Sequence, residues 1–375
     1  MKKIFILTGE PSGDKLASKI IANLKKIRSD IEFLSVGGEY LKALEVKSIY
    51  DLKEITYIGF TKVLINIFKI KKKIKHTVEE ITKFKPDILL SVDSPDFTLR
   101  VAKEVKKMNP NIRTVHLVAP QVWIWRENRV KKIKKFIDHM LLLFPFEKKY
   151  FDKENIASTF IGHPLLDNIE SSNVDISNII KENMKIFSIF PGSRDSEINI
   201  LTPILLNFIK LMNNKYKDLF FVFHCTNEHV KKIQALLISE GFKNCGAISD
   251  EKVKSHILNS SIFAVTKSGT ISLEVCKAKV PSVIIYKMNL INYLIVKFLV
   301  KVRFANIINI SQNEEIIPEL LQSKCNSKNI FYTVDKILSN KEILENQIVN
   351  FQKAIKQFKT KNSTNLACSI LTNYL

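Results

Sequence analysis

Short apolar runs rich in β-branched and aromatic residues alternate with helix-length amphipathic stretches twice over, once in each half of the chain. Runs at 4–7, 32–36, 88–92, 114–118 and 140–144 make the first series, and runs at 186–190, 220–224, 262–266 and 283–286 make the second. That alternation predicts parallel α/β sheets. A polar, weakly periodic segment at about 167–183 parts the two series. A chain of 375 residues has room for two domains at roughly 100 to 200 residues each, and each is large enough to bury its own core. The expected division is a first domain over 1–165 and a second over 166–340, with 341–375, which has helical spacing, returning to cover the first. No internal repeat or low-complexity tract interrupts this pattern.

Charge narrows the partners. Lys and Arg number 58 against 37 Asp and Glu, a formal net charge of +21, which implies an anionic partner such as nucleic acid, a membrane surface or a phosphorylated substrate. The chain is heavy in Lys, Ile and Asn, so part of this excess reflects AT-rich codon use. Nucleic acid is disfavoured, because the lysines are scattered and neither an RNP nor a zinc-finger signature occurs. Five cysteines, Cys225, Cys245, Cys276, Cys325 and Cys368, are odd in number and form no C-x-x-C pair, which argues against a disulfide framework and a zinc ribbon and fits a reducing cytoplasm.

Met1-Lys2-Lys3 and the apolar run after it resemble a signal peptide, but the run ends at Thr8-Gly9-Glu10-Pro11, far short of a signal's apolar core. The stretch 291–302 is broken by Lys297 and Lys301 and falls short of the roughly 18 residues of a spanning helix. A soluble or peripheral protein is expected. In 60–75, Phe60, Val63, Leu64, Ile67, Ile70 and Ile74 recur at helical spacing opposite Lys62, Lys69, Lys72 and Lys73, the pattern of a helix lying on an anionic bilayer. An ordinary amphipathic helix packed on the sheet fits the same spacing.

Ligands of open parallel sheets sit beyond the carboxyl ends of the strands, so the loops directly after strands are where chemistry is sought. Thr8-Gly9-Glu10-Pro11-Ser12-Gly13-Asp14 follows the first run and opens a helix; it is neither G-x-G-x-x-G nor a P-loop, but its glycines and serine let an anion or sugar approach closely. Ser91-Val92-Asp93-Ser94-Pro95-Asp96-Phe97 sets two carboxylates three residues apart after a buried run. Asp93 is the favoured general base, and Asp96 fits a helix N-cap.

Pro191-Gly192-Ser193-Arg194 joins flexible backbone, a hydroxyl and a guanidinium into a phosphate grip, and Lys267-Ser268-Gly269-Thr270 repeats the arrangement with Glu274 one helical turn on. Two such loops, with a carboxylate able to accept two ribose hydroxyls, suit a nucleoside diphosphate. Both tryptophans lie in Ala119-Pro120-Gln121-Val122-Trp123-Ile124-Trp125-Arg126, where core packing of at least one indole is expected. His224 and His229 flank Cys225 without a fourth metal ligand. No D-x-D occurs, which removes the usual metal clamp of one large class of sugar-nucleotide transferases; neither a metal nor a cofactor is expected.

Together these motifs resemble the lipid-A-disaccharide synthase family, inverting glycosyltransferases of the GT-B fold, over nearly the whole chain. The resemblance rests on residues 9–14, 92–97 and 120–126, on Pro145-Phe146-Glu147 and Gly162-His163-Pro164-Leu165, and on 191–194 and 268–270. It implies two Rossmann-like domains facing across a cleft, the first facing acceptor and membrane and the second binding the UDP-sugar. It further implies joining of UDP-2,3-diacylglucosamine to 2,3-diacylglucosamine 1-phosphate with release of UDP, at the cytoplasmic face of a Gram-negative inner membrane.

By that resemblance Asp93 is the general base that serves the acceptor 6-hydroxyl. Gly192, Ser193, Arg194, Ser268, Gly269, Thr270, Glu274 and Asn306 belong to the UDP site, and Glu10, Ser12, Gly13, Asp14, Gln121, Trp125 and Arg126 to the acceptor side. Phe304-Ala305 replaces the family's usual Leu-Pro before Asn306, and Ala119 a usual serine. A 2-epimerase or another acetylglucosaminyl transferase on the same architecture is the nearest competing reading; a catalytically silent scaffold is the most remote.

Overall fold

The computed structural model describes residues 1–55, 67–122, 129–167, 174–177, 179–180, 183–290, 292–294 and 302–375. The chain divides into two compact units, one including Met1–Asp167 and Gln357–Leu375, the other Asn168–Tyr293 and Val302–Lys356. Each is built on a parallel sheet.

The first sheet has seven strands: β1 (Lys2–Thr8), β2 (Ile31–Val36), β3 (Lys47–Ser48), β4 (Ile88–Val92), β5 (Arg113–Leu117), β6 (His139–Leu142) and β7 (Ser158–Phe160). Their order is β3-β2-β1-β4-β5-β6-β7. All five residues of β4 are buried, as they must be where helices cover both faces of a sheet. On one face Phe5, Leu7, Leu89 and Met140 pack with Val101, Ala102 and Val105 of the helix Thr98–Met108 and with Val78 and Ile81 of the helix Ile67–Phe84. The last helix, Ser363–Asn373, lies on the helix Pro11–Ile27, where Cys368 Sγ donates to the Ile20 carbonyl at 3.4 Å.

The second sheet has six strands: β8 (Lys185–Phe190), β9 (Leu219–His224), β10 (Cys245–Ile248), β11 (Ser261–Lys267), β12 (Ser282–Tyr286) and β13 (Glu319–Leu321). Their order is β10-β9-β8-β11-β12-β13. Its core centres on Phe187, whose ring lies 5.8 Å from Phe208, 5.1 Å from Phe221 and 5.5 Å from Phe263. Fully burying one such ring contributes about 1.5 to 3 kcal/mol. Most of the helix Lys341–Phe358 belongs to this unit, where the Gln347 side chain accepts from the Ser282 amide at 2.8 Å and donates to the Ser282 carbonyl at 3.0 Å.

Two motifs that carry the family resemblance fix the first unit's own architecture. Glu147 is buried, and its Oε2 accepts from the amides of Leu143 and Phe144, each at 3.0 Å. In the second motif the His163 amide donates to the Phe358 carbonyl at 3.0 Å, while Thr360 Oγ1 donates to the Ile161 carbonyl at 2.6 Å. Phe144 meets the Phe358 ring edge-on at 4.9 Å. These residues dock the end of the chain.

Burial pushes the Glu147 carboxyl up to about 8, against the pull of its two amide bonds. A carboxyl raised above its unfolded value contributes stability that is present below pH about 4.5 and lost as pH climbs to about 8. Glu147→Gln keeps an oxygen for both amides and does not titrate. Its thermal midpoint should therefore gain on the wild type as pH rises from 5 to 8, and a difference that stays constant over that range would contradict the assignment. His116, His163 and His224 act in the opposite sense: burial lowers each to about 3, so their contribution is lost as pH falls from about 6.5 toward 3.

Candidate active site

In each sheet the strand order reverses beside the first strand of the unit. β1 stands between β2 and β4, and β8 between β9 and β11, so the loops after β1 and β4, and those after β8 and β11, open next to each other at the carboxyl ends. Such reversal points are where doubly wound sheets bind ligands. All four loops singled out by sequence lie there.

In the first unit Asp93 directly follows β4. Its amide donates to the Leu117 carbonyl at 2.9 Å, its Oδ1 accepts from the Ser94 amide at 2.7 Å and its Oδ2 from Ser12 Oγ at 3.2 Å. Asp93, Ser94 and Val118 all take positive φ, at 54°, 46° and 74°. For a β-branched residue such as Val118 this is a true outlier, and strain of this kind concentrates at functional sites. The adjoining glycines have a packing role. A Cβ on Gly9 would lie 2.3 Å from Ser94 Cβ, and one on Gly13 would lie 3.2 Å from the Val92 carbonyl oxygen. They let the β1 loop close on the loop after β4, where Ser12 meets Asp93.

Two expectations change. Asp96 does not cap the following helix; Phe97 occupies that position without a side-chain bond, and Asp96 is exposed and pairs with Arg129 at 3.1 Å. The positive φ at Asp93 and Ser94 turns the chain so that Thr98 Oγ1 donates to the Asp93 carbonyl at 2.6 Å. Asp14, placed on the acceptor side by resemblance, is 1% exposed, and its carboxylate accepts from the amides of Gly38 at 2.8 Å and Tyr40 at 2.9 Å. It braces the turn after β2, with its pKa raised by burial against those amide bonds. Glu10 is half-buried at the start of the helix Pro11–Ile27, and Gln121 is exposed. Trp125 and Arg126 lie outside the described residues.

In the second unit the loop after β8 turns on Gly192, with φ at 110° and room for no side chain, since a Cβ would meet Glu197 Oε2 at 2.4 Å. Glu197 is buried in the first turn of the helix Asp195–Lys215. Its Oε2 accepts from the Ser193 amide at 3.2 Å, while its Oε1 meets Arg194 Nη1 at 3.3 Å and Lys267 Nζ at 2.9 Å. One carboxylate thus ties the loop after β8 to the end of β11. Sequence reading left both Glu197 and Lys267 out of the site. The signal was their place in the two motifs, Lys267 opening one and Glu197 falling three residues after the Arg194 of the other.

Ser268 Oγ donates to the Ala305 carbonyl at 2.9 Å, joining the β11 loop to the segment before Asn306. Gly269 and Thr270 are exposed, and Glu274 lies half-buried in the first turn of the helix Ile271–Lys277. Asn306 is buried and caps the helix Ile307–Gln312, its Oδ1 accepting from the Ile308 amide at 2.9 Å, with Nδ2 unpartnered. Its backbone amide donates to Glu319 Oε1 at 2.9 Å. The second unit therefore sets Arg194 and Ser268 just after the carboxyl ends of β8 and β11, and ties Asn306 to Glu319, the first residue of β13.

Of the interfacial stretch, Phe60, Val63 and Leu64 lie outside the described residues, as does the Ile67 side chain. The helix runs on to Phe84. Ile70 is half-buried, and Ile74 packs against the core of the first unit instead of facing outward. Phe68, off the expected apolar stripe, is 81% exposed. No helix among the described residues is long and apolar enough to cross a membrane.

Comparison with known proteins adds sequence kinship to this geometry. The family model described as lipid-A-disaccharide synthetase matches residues 4–372. The lipid-A-disaccharide synthase of Rickettsia typhi (strain ATCC VR-144 / Wilmington) is 35% identical over 364 residues, covering 96% of this chain and 95% of that protein. That of Rickettsia prowazekii (strain Madrid E) is 35% identical over 362 residues, covering 95% and 94%. Among solved structures, UDP-GlcNAc 2-epimerase from Neisseria meningitidis bound to UDP-GlcNAc aligns with a TM-score of 0.69 at 15% identity, covering 99% of this chain and all of that one. A spinosyn rhamnosyltransferase complexed with thymidine diphosphate aligns at 0.62 with 10% identity, covering 99% and 100%. At these identities the likeness is one of fold, the two-sheet GT-B fold of glycosyltransferases and epimerases.

Proposed function

The chain belongs to the lipid-A-disaccharide synthetase family and is a glycosyltransferase of lipid A biosynthesis, and from that premise we propose that it joins UDP-2,3-diacylglucosamine to 2,3-diacylglucosamine 1-phosphate with inversion at the anomeric carbon. In this reading Asp93 takes the proton from the acceptor 6-hydroxyl as that oxygen attacks, a contribution of typically about 10²- to 10⁴-fold. The leaving group is a diphosphate, stable as an anion. It needs charge stabilisation more than protonation, and that falls to Arg194 and the exposed loop backbone at Gly192, Ser193, Gly269 and Thr270. Glu274 accepts from the ribose hydroxyls, and Asn306 holds the neighbouring segment in place. Glu10, Ser12 and Gln121 line the acceptor side, with Ser12 orienting the Asp93 carboxylate.

The observation that supports this most is the Glu197 bridge, which draws cations from two nucleotide-type loops to the reversal point of the second sheet. The test is incubation of the purified protein with both acylated substrates and mass spectrometry of the lipid. A tetraacylated disaccharide phosphate is the expected product; its absence from an enzyme that folds and binds UDP would reject the substrate assignment.

Acylated substrates also make the cytoplasmic face of the inner membrane the natural place of work, reached peripherally through residues 60–70. Anionic vesicles should sediment the wild type, and less of a variant with Phe60, Leu64 and Ile67 changed to Ser. Undiminished sedimentation of that variant would remove this segment as the membrane contact.

A further inference from the structure

We propose that Thr98 is a positioning residue for the reaction, holding the backbone that aims the Asp93 carboxylate. The inference rests on the reading of Asp93 as the general base and deepens it. Asp93 and Ser94 are consecutive residues at positive φ, 54° and 46°. Aspartate enters that region more readily than most residues, but serine does not. Two such residues in succession persist only where their surroundings fix them.

The Asp93 backbone is fixed at both ends. Its amide donates to the Leu117 carbonyl at 2.9 Å, continuing the pairing of β4 with β5. Its carbonyl accepts from Thr98 Oγ1 at 2.6 Å. With both peptide groups held, the Cα–Cβ bond has one direction, and along it Oδ1 reaches the Ser94 amide at 2.7 Å and Oδ2 reaches Ser12 Oγ at 3.2 Å.

A threonine serving only its own helix bonds differently. Its Oγ1 commonly donates to the carbonyl three or four residues back, as Thr82 does to Val78 at 2.8 Å in the helix Ile67–Phe84. For Thr98 that carbonyl belongs to Ser94, and it is the longer contact, at 3.2 Å. The shorter one reaches five residues back to Asp93, outside the helix that Thr98 opens. Thr98 is buried, so bulk water does not compete for the hydroxyl.

The experiment is steady-state kinetics with both acylated substrates on wild type, Thr98→Val, Thr98→Ser, Asp93→Asn and the double variant Thr98→Val with Asp93→Asn. Thr82→Val controls for the loss of a helical hydroxyl elsewhere in the unit. Thr98→Val keeps the branched shape and removes the donor. It should lower kcat about 10- to 100-fold, the scale of misplacing a reacting group by up to about 1 Å, with KM within about twofold of wild type. Thr98→Ser, which restores the hydroxyl, and Thr82→Val should keep kcat within about threefold. In the Asp93→Asn background Thr98→Val should cost less than about twofold, because no base remains to be aimed. Should Thr98→Val melt early, Thr98→Cys, a weak donor of similar size, carries the same comparison.

Wild-type kcat in Thr98→Val, with Asp93→Asn slow, would overturn the inference and leave Asp93 as the base. The same loss in both backgrounds would overturn it in favour of a structural role. A full-rate Asp93→Asn enzyme would overturn both.

Discussion

Replacing Asp93 with Asn should lower kcat by about 10²- to 10⁴-fold, a barrier increase of about 3 to 5.5 kcal/mol, with little change in KM for either substrate. The site tolerates the change structurally. Oδ1 can still accept from the Ser94 amide, now at 2.7 Å, and the new amide nitrogen can donate to Ser12 Oγ, now 3.2 Å from the carboxylate. What is lost is the ability to take a proton, so the deficit belongs in kcat at saturating substrate. Asp96→Asn is the control. Its carboxylate is 66% exposed and pairs with Arg129, a contact worth about 0 to 1 kcal/mol, so both turnover and stability should stay near wild type. Steady-state kinetics of the two variants decide the matter: a full-rate Asp93→Asn enzyme, or a collapse confined to Asp96→Asn, means the base is elsewhere.

Arg194→Ala should weaken UDP by about 1.5 to 3 kcal/mol, roughly 10- to 150-fold, and Glu274→Ala by a similar amount. The reasons differ. Arg194 sits at the mouth of a helix whose first amides favour an anion, and after its removal Glu197 keeps its ion pair with Lys267, at 2.9 Å. Glu274 lies in the first turn of the helix after the β11 loop, and in the proposed reading its carboxylate accepts from the ribose hydroxyls. Calorimetry with UDP, alongside thermal melts to show an intact fold, measures both. Unchanged affinity in both variants would move the nucleotide away from these loops.

The buried centre of each sheet was plain in the sequence, and its edges were not. The apolar runs marked β1, β2, β4, β5 and β6 and then β8, β9, β11 and β12, because strands covered on both faces must be apolar throughout. The strands at the margins, β3 (Lys47–Ser48), β7 (Ser158–Phe160), β10 (Cys245–Ile248) and β13 (Glu319–Leu321), are two to four residues long and largely half-buried. Edge strands are kept short and polar, so they left no run to read.

The site divides in the same way. Loops after strands were legible because parallel sheets bind there, whereas the partners of their side chains were not. Asp14 shares a motif with Ser12, yet one braces a turn and the other touches Asp93. Spacing cannot tell them apart, since the amides that claim Asp14 come from residues 38 and 40. Glu197 was hidden for a related reason. A first-turn glutamate is favoured by the helix dipole, and only the adjacency of β8 and β11 brings Lys267 onto it. The cap expected of Asp96 failed because the positive φ of Asp93 and Ser94 redirects the chain before the helix begins.

The fold is shared with UDP-GlcNAc 2-epimerases as well as with a rhamnosyltransferase, so the central claim is best tested by whether UDP release depends on an acceptor. Initial rates of UDP release from UDP-2,3-diacylglucosamine should be near zero alone. On addition of 2,3-diacylglucosamine 1-phosphate they should rise in step with disaccharide formation, one UDP for each disaccharide. UDP release at the same rate without the acceptor, or conversion of the donor to its 2-epimer, would contradict glycosyl transfer as the chain's reaction.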